Sequence, residues 1–108
     1  HLVGSVSMYE FNSGDWAELG QNLNGEGYYD LFGNSVDISG DGSRIVIGVP
    51  NDDADDADIH DQGSAAVDEY SEIDGWVQLG STITGVNQGE RHGVSVSMSR
   101  NVNRVIVG

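Results

Sequence analysis

The chain has 108 residues, 37% of them apolar, which is enough for one small domain and too little for two. Four arginines, no lysine and eighteen acidic residues leave a net charge of −14, which repels phosphate backbones and anionic membrane surfaces and excludes nucleic-acid binding. The absence of cysteine excludes disulfides, thiolate catalysis and zinc–sulfur centres, and no apolar run approaches the ~20 residues of a membrane helix.

In chain order, the sequence predicts eight short strands and no helix. The first covers residues 5–11 and ends at the turn Ser13-Gly14-Asp15; the second covers 16–23. The third, 32–38, alternates with Val36 and Ile38 on one side, the period-two mark of a half-buried strand. Gly40-Asp41-Gly42 then turns the chain into 43–49, where Ile45-Val46-Ile47 is a continuous β-branched run suited to a strand covered on both faces. Pro50 to Gln62 carries six aspartates and no strand pattern. Strands follow at 64–71 and 76–83, joined through Asp74-Gly75, a hairpin signal because glycine accepts positive φ. The last two are 93–98, with Val94, Val96 and Met98 alternating against serines, and 103–107, which contains Val105-Ile106-Val107.

These elements repeat. A shift of sixty residues places Trp16 on Trp76, Leu19-Gly20 on Leu79-Gly80, Leu23 on Ile83 and Gly25 on Gly85. The same shift places Gly33 on Gly93, Ser35-Val36 on Ser95-Val96, Ser39 on Ser99, and Arg44, Val46 and Gly48 on Arg104, Ile106 and Gly108. Upstream of the tryptophans, Gly4 and Tyr9 meet Gly63 and Tyr70 once a one-residue insertion is allowed. Four antiparallel strands per ~40–60 residues is the unit of a β-propeller blade. The expected fold is all-β: two tandem four-stranded antiparallel blades, one complete and the other divided into half-blades at the termini. A single β-repeat domain covers 1–108, with repeat 1 at about 4–48, an acidic loop at 49–62 and repeat 2 at about 63–108.

Phe32-Gly33-Asn34-Ser35-Val36, then Asp41-Gly42, then Ile45-Val46-Ile47-Gly48-Val49-Pro50 resembles the FG-GAP repeat of integrin α-chain-type propellers. Gly63-Ser64-Ala65-Ala66-Val67 through Tyr70 resembles that family's third strand, and the Trp-x-x-Leu-Gly opening of the fourth is similar to its secreted microbial and algal members. The resemblance covers nearly the whole chain twice. It departs at Val49-Pro50, where Ala-Pro is usual, and at His92, where Phe is usual. It implies that the Phe-Gly strand is innermost and the Trp strand outermost, that Phe32, Gly33, Gly93, Trp16 and Trp76 are structural repeat positions, and that the protein is extracellular.

The family's calcium loop would fall at Asp37 to Gly42, which holds two carboxylates, and at Ser97 to Asn101, which holds none. Calcium takes six to eight oxygens. If Ca²⁺ is a cofactor, the expected ligands are therefore Asp52, Asp53, Asp55, Asp56 and Asp58; the alternative for that stretch is a solvated acidic loop. His1, His60 and His92 lack the spacing of a zinc site or a nucleophile–base pair, so the chain is read as non-enzymatic. Trp16 and Trp76 are expected to fill equivalent, buried positions between sheets rather than to stack on sugars. Arg44 and Arg104 are read either as bridges to carboxylates on a neighbouring blade or as exposed edge charges.

Half-blades leave strand edges open, and repeat units need neighbours to bury their faces. Residues 103–107 are expected to pair with 5–11 of another molecule, through Val105, Ile106 and Val107 on one side and Val6, Met8 and Tyr9 on the other. That reading makes the protein a structural or adhesive homo-oligomer, joined head to tail into a filament or ring. The alternative is a fragment of a larger FG-GAP-type propeller that binds protein or glycan ligands, with or without Ca²⁺.

Overall fold

Alternating side chains and turn residues at short intervals produce eleven strands and no helix among the residues described by the computed structural model, which are 3–27, 30–51, 62–87, 89–101 and 103–108. The strands are β1 (Ser5–Val6), β2 (Tyr9–Asn12), β3 (Asp15–Glu18), β4 (Leu23–Asn24), β5 (Ser35–Ile38), β6 (Arg44–Val49), β7 (Ser64–Ser71), β8 (Gly75–Gln78), β9 (Ile83–Thr84), β10 (Val96–Met98) and β11 (Val105–Val107). The central sheet is antiparallel in the order β5-β6-β7-β8, with β9 also on β7. Three two-stranded antiparallel sheets accompany it: β1 with β4, β2 with β3, and β10 with β11. No closed barrel forms among these strands.

The sixty-residue repeat is a repeat of hydrogen bonds. Leu19 N donates to Met8 O at 2.8 Å, as Leu79 N does to Val67 O at 2.7 Å. Gly25 N donates to Gly4 O at 3.0 Å and Gly85 N to Gly63 O at 2.9 Å. Gly33 N reaches Gly48 O at 3.1 Å and Gly93 N reaches Gly108 O at 2.8 Å, with Gly33 and Gly93 both at positive φ (82° and 101°). Those two glycines stand where a left-handed backbone is needed, which an L side chain resists.

The one-residue insertion lies in a hairpin turn. Ser13 (φ 54°) and Gly14 (φ 91°) form the two-residue link between β2 and β3, both at the positive φ of a type I′ turn. The link between β7 and β8 has one more residue, Glu72-Ile73-Asp74, and closes on Gly75 at φ 74°. Ser71 Oγ accepts from Ile73 N and Asp74 N there, both at 3.1 Å. The insertion also corrects one sequence correspondence. Trp16 stands opposite Phe11, and Trp76 opposite Tyr70, so Phe11 is the structural counterpart of Tyr70 and Tyr9 is not.

Strand β6 of the central sheet is buried on both faces. Ile45 and Ile47 face a core with Met8 and Trp76, against which Val6, Leu19, Leu23, Phe32 and Tyr70 pack. Val46 faces the other way, into a core with Ala65 and Met98 bordered by Val67, Val96, Val105 and Val107. The continuous apolar run at 45–47 is thus a strand with an apolar core on either side. Pairing also explains why predicted strand 5–11 is split while 64–71 is continuous. β6 hydrogen-bonds along β7 from Arg44↔Glu69 to Val49↔Ser64, whereas the ladder is interrupted at Ser7-Met8 between β1 and β2.

Candidate assembly surfaces

The contact that holds the first repeat against the central sheet is built around Trp76, which is only 3% exposed. Its indole Nε1 donates to Leu19 O at 2.9 Å. Gln21 clamps the backbone of the same residue: its Oε1 accepts from Trp76 N at 2.9 Å and its Nε2 donates to Trp76 O at 2.8 Å. The ring lies against Gly20, where a Cβ would stand 2.6 Å from Trp76 Cδ1, and it packs on Tyr70 with centroids 5.2 Å apart. Gly20 holds φ +74°, so the residue that turns the chain also makes room for the indole.

The repeat places the same aromatic pair at Phe11 and Trp16, with centroids 5.3 Å apart in an edge-on arrangement. Here the expectation of burial fails. Trp16 is 64% exposed, and Phe11 and Tyr9 beside it are exposed as well. The segment that covers Trp76, Leu19 to Gln21, belongs to the first repeat, and no equivalent segment lies over Trp16 among the described residues.

A second uncovered surface lies on β10 and β11. Ile106 is 73% exposed although its counterpart Val46 is fully buried. The six residues expected to mediate assembly therefore divide. Val6 and Met8 pack in the first core and Val105 and Val107 against the second, while Tyr9 and Ile106 face solvent. What remains for pairing is backbone. β11 bonds to β10 on one side, β1 to β4 and β2 to β3, and no further strand is paired with any of them among the described residues.

No family model and no curated protein matches this chain.

The arginines are resolved by register. Arg44 lies opposite Glu69, and its Nε donates to Glu69 Oε2 at 2.9 Å, so its carboxylate partner is on the same sheet rather than on a neighbouring one. Its Nη1 also reaches Asn103 Oδ1, at 3.5 Å, on the adjacent β10–β11 hairpin. The counterpart of the Arg44–Glu69 pair is Arg104 with Glu10, which sit on the two surfaces left uncovered.

The turn around Asp41, where the resemblance would put a calcium loop, is closed by hydrogen bonds. Asp41 Oδ1 accepts from Ser43 N at 2.9 Å, Ser43 Oγ at 2.7 Å and Ser39 Oγ at 2.9 Å. These bonds to Ser43 and then Ser39 hold its carboxyl below the usual value. In the second repeat Asn101 takes the same place, accepting from Ser99 Oγ at 2.7 Å, so the position needs an acceptor rather than a charge. Glu90 is likewise lowered by the backbone N–H groups of Asn87 and Val86, and stands 3.8 Å from His92 Nδ1. His92, expected at a strand start, instead forms an isolated parallel bridge with Gly63 ahead of β10, its N–H donating to Gln62 O.

Asp52, Asp53, Asp55, Asp56 and Asp58, the candidate calcium ligands, lie outside the described residues, as do His1, His60, Tyr28 and Tyr29. Among the described residues no group of three or more His, Cys, Asp and Glu stands together.

Proposed function

We propose that this chain is an extracellular structural protein of propeller-blade type that assembles head to tail with copies of itself. One observation carries the reading: the β6–β7 ladder inside the chain is a template for a ladder between molecules. Residues 103–108 repeat 43–48, and residues 4–24 repeat 63–84. Applying the internal register to β11 and to β1–β2 of another molecule places Arg104 opposite Glu10, Ile106 opposite Met8 and Gly108 opposite Val6. The result is a four-stranded sheet in the order of the central one, in which the open edges of β11 and of β1–β2 are paired with each other.

The contact is heterologous, so it closes into a ring or continues as a filament according to the rotation between units, and the filament is the preferred reading. The FG-GAP resemblance supports the blade assignment, the extracellular location and an adhesive role. Sedimentation velocity over a wide concentration range tests this. A particle mass that grows with concentration, and is lost when residues 1–11 are deleted, is the expected result. A chain that stays monomeric throughout refutes self-assembly and favours a segment of a larger propeller, whose other repeats cover these surfaces and which binds protein or glycan, with or without Ca²⁺.

A further inference from the structure

Resting on that self-assembly reading, we infer that the Trp16 indole and the Leu79-Gly80-Ser81 segment are the two halves of a docking site, each met by the other in a second copy of this chain. Within the chain, one repeat docks on the next when Trp76 lies over Leu19, Gly20 and Gln21 and its Nε1 bonds Leu19 O. The chain carries a second Trp with its own aromatic neighbour, Phe11, and that Trp is 64% exposed. It also carries a second receiving segment. Gly80 has φ +76°, matching +74° at Gly20, but no atom lies within 4 Å of its Cβ position, and Leu79 is 38% exposed. Knob and seat are both present and both unfilled, the one on β3 and the other just after β8 of the central sheet.

The strand pairing proposed above is compatible with this docking. When β11 accepts β1–β2 of another molecule as β6 accepts β7, that molecule's β3 takes the place of β8 and brings its Trp16 over Leu79 and Gly80. The two contacts follow from one geometric operation, the one that already relates the repeats inside the chain. They differ at two positions beside the indole. Gln21, whose side chain makes two hydrogen bonds to the Trp76 backbone, is replaced by Ser81 in the second seat. Serine is too short to span both bonds, and Asp15, in the place of Gly75, takes the Trp16 N–H on its own Oδ1 at 2.8 Å, so the seat between molecules is the weaker copy of the internal one. This makes assembly concentration-dependent while the internal interface stays closed.

The test compares the intact chain, Trp16→Ala and Ser81→Gln by sedimentation, with acrylamide quenching of tryptophan fluorescence read in parallel. Both substitutions are at exposed positions, so the fold survives them. Trp16→Ala should weaken association by at least about 30-fold, the loss typical of an aromatic hot spot. Ser81→Gln should weaken it about tenfold, because Asp15, where the internal seat has Gly75, already accepts from Trp16 N at 2.8 Å and its Cβ occupies the place of the glutamine Oε1. In the intact chain, the quencher-accessible tryptophan should disappear as the assembly forms, because Trp76 is buried throughout. Assembly that proceeds with Trp16 still open to quencher, and with neither variant shifted, overturns the docking site and leaves strand pairing standing. Absence of assembly in all three proteins overturns the self-assembly reading itself.

Discussion

Trp76→Ala and Trp16→Ala provide the sharpest comparison of two identical residues at equivalent positions. An aromatic side chain buries ~150–250 Å², and Trp76 is 3% exposed against 64% for Trp16. About three fifths of the residue surface, roughly 120 Å², therefore separates the two, equivalent to about 3 kcal/mol at ~25 cal/mol per Å². Trp76→Ala also deletes the Nε1 bond to Leu19 O and leaves a gap beside Gly20, which puts its total cost in the ~3–5 kcal/mol range for a buried aromatic. Domains of this size have ~5–15 kcal/mol in all, so the variant loses a large share of its stability. Urea denaturation followed by far-ultraviolet circular dichroism, at concentrations where the chain is monomeric, measures both losses. Trp16→Ala should cost about 1 kcal/mol or less under those conditions. Equal losses for the two variants would refute the assignment of Trp76 as the anchor between the first repeat and the central sheet.

Gly20→Ala and Gly80→Ala share the ~1–2 kcal/mol cost of a left-handed alanine, but only Gly20→Ala collides with an indole; denaturation should show Gly20→Ala as the more destabilising of the two. Burial raises the Asp68 carboxyl above its ordinary value, so the folded state holds that proton more tightly than the unfolded chain. The corresponding stability is present below the unfolded value near ~3.9 and is lost as pH rises through the raised folded value. Asp68→Asn should therefore raise stability at neutral pH and remove that fall, and a pH series of melting temperatures checks both. Reversing charge at Arg104→Glu should oppose Glu10 of the neighbouring molecule and weaken assembly, and adding Glu10→Arg should restore it; sedimentation without rescue would reject the proposed register.

Much of the local structure was legible in the residues. The glycine turns at Ser13-Gly14 and Gly75 and the β-branched run Ile45-Val46-Ile47 act over a few neighbours and produced the turn or strand their chemistry favours. The alternation at 35–38 also gave a strand, but Val36 and Ile38, expected on its buried side, are 52% and 51% exposed, because the packing centres on β6 instead. The repeat was legible for the same reason, since equivalent residues make equivalent backbone bonds wherever they fall in the chain. Even so, the sequence paired Tyr70 with Tyr9, because side-chain identity is matched more readily than turn length. The hairpin register, set by two linking residues in one turn and three in the other, pairs it with Phe11.

Tertiary structure decided what each repeated residue does. Trp16 and Trp76, or Ile106 and Val46, have the same local pattern and opposite exposure, because burial depends on whether another sheet lies across the face. Arg44, expected either to bridge to a neighbouring blade or to stand as an exposed edge charge, is instead paired on its own sheet, because the β6–β7 register puts Glu69 directly opposite it. Val6, Met8, Val105 and Val107 looked available for contacts between molecules and instead occupy the chain's own two cores. A strand's sequence sets which side chains share a face, and a face is covered or left open only by what packs on it from elsewhere in the chain.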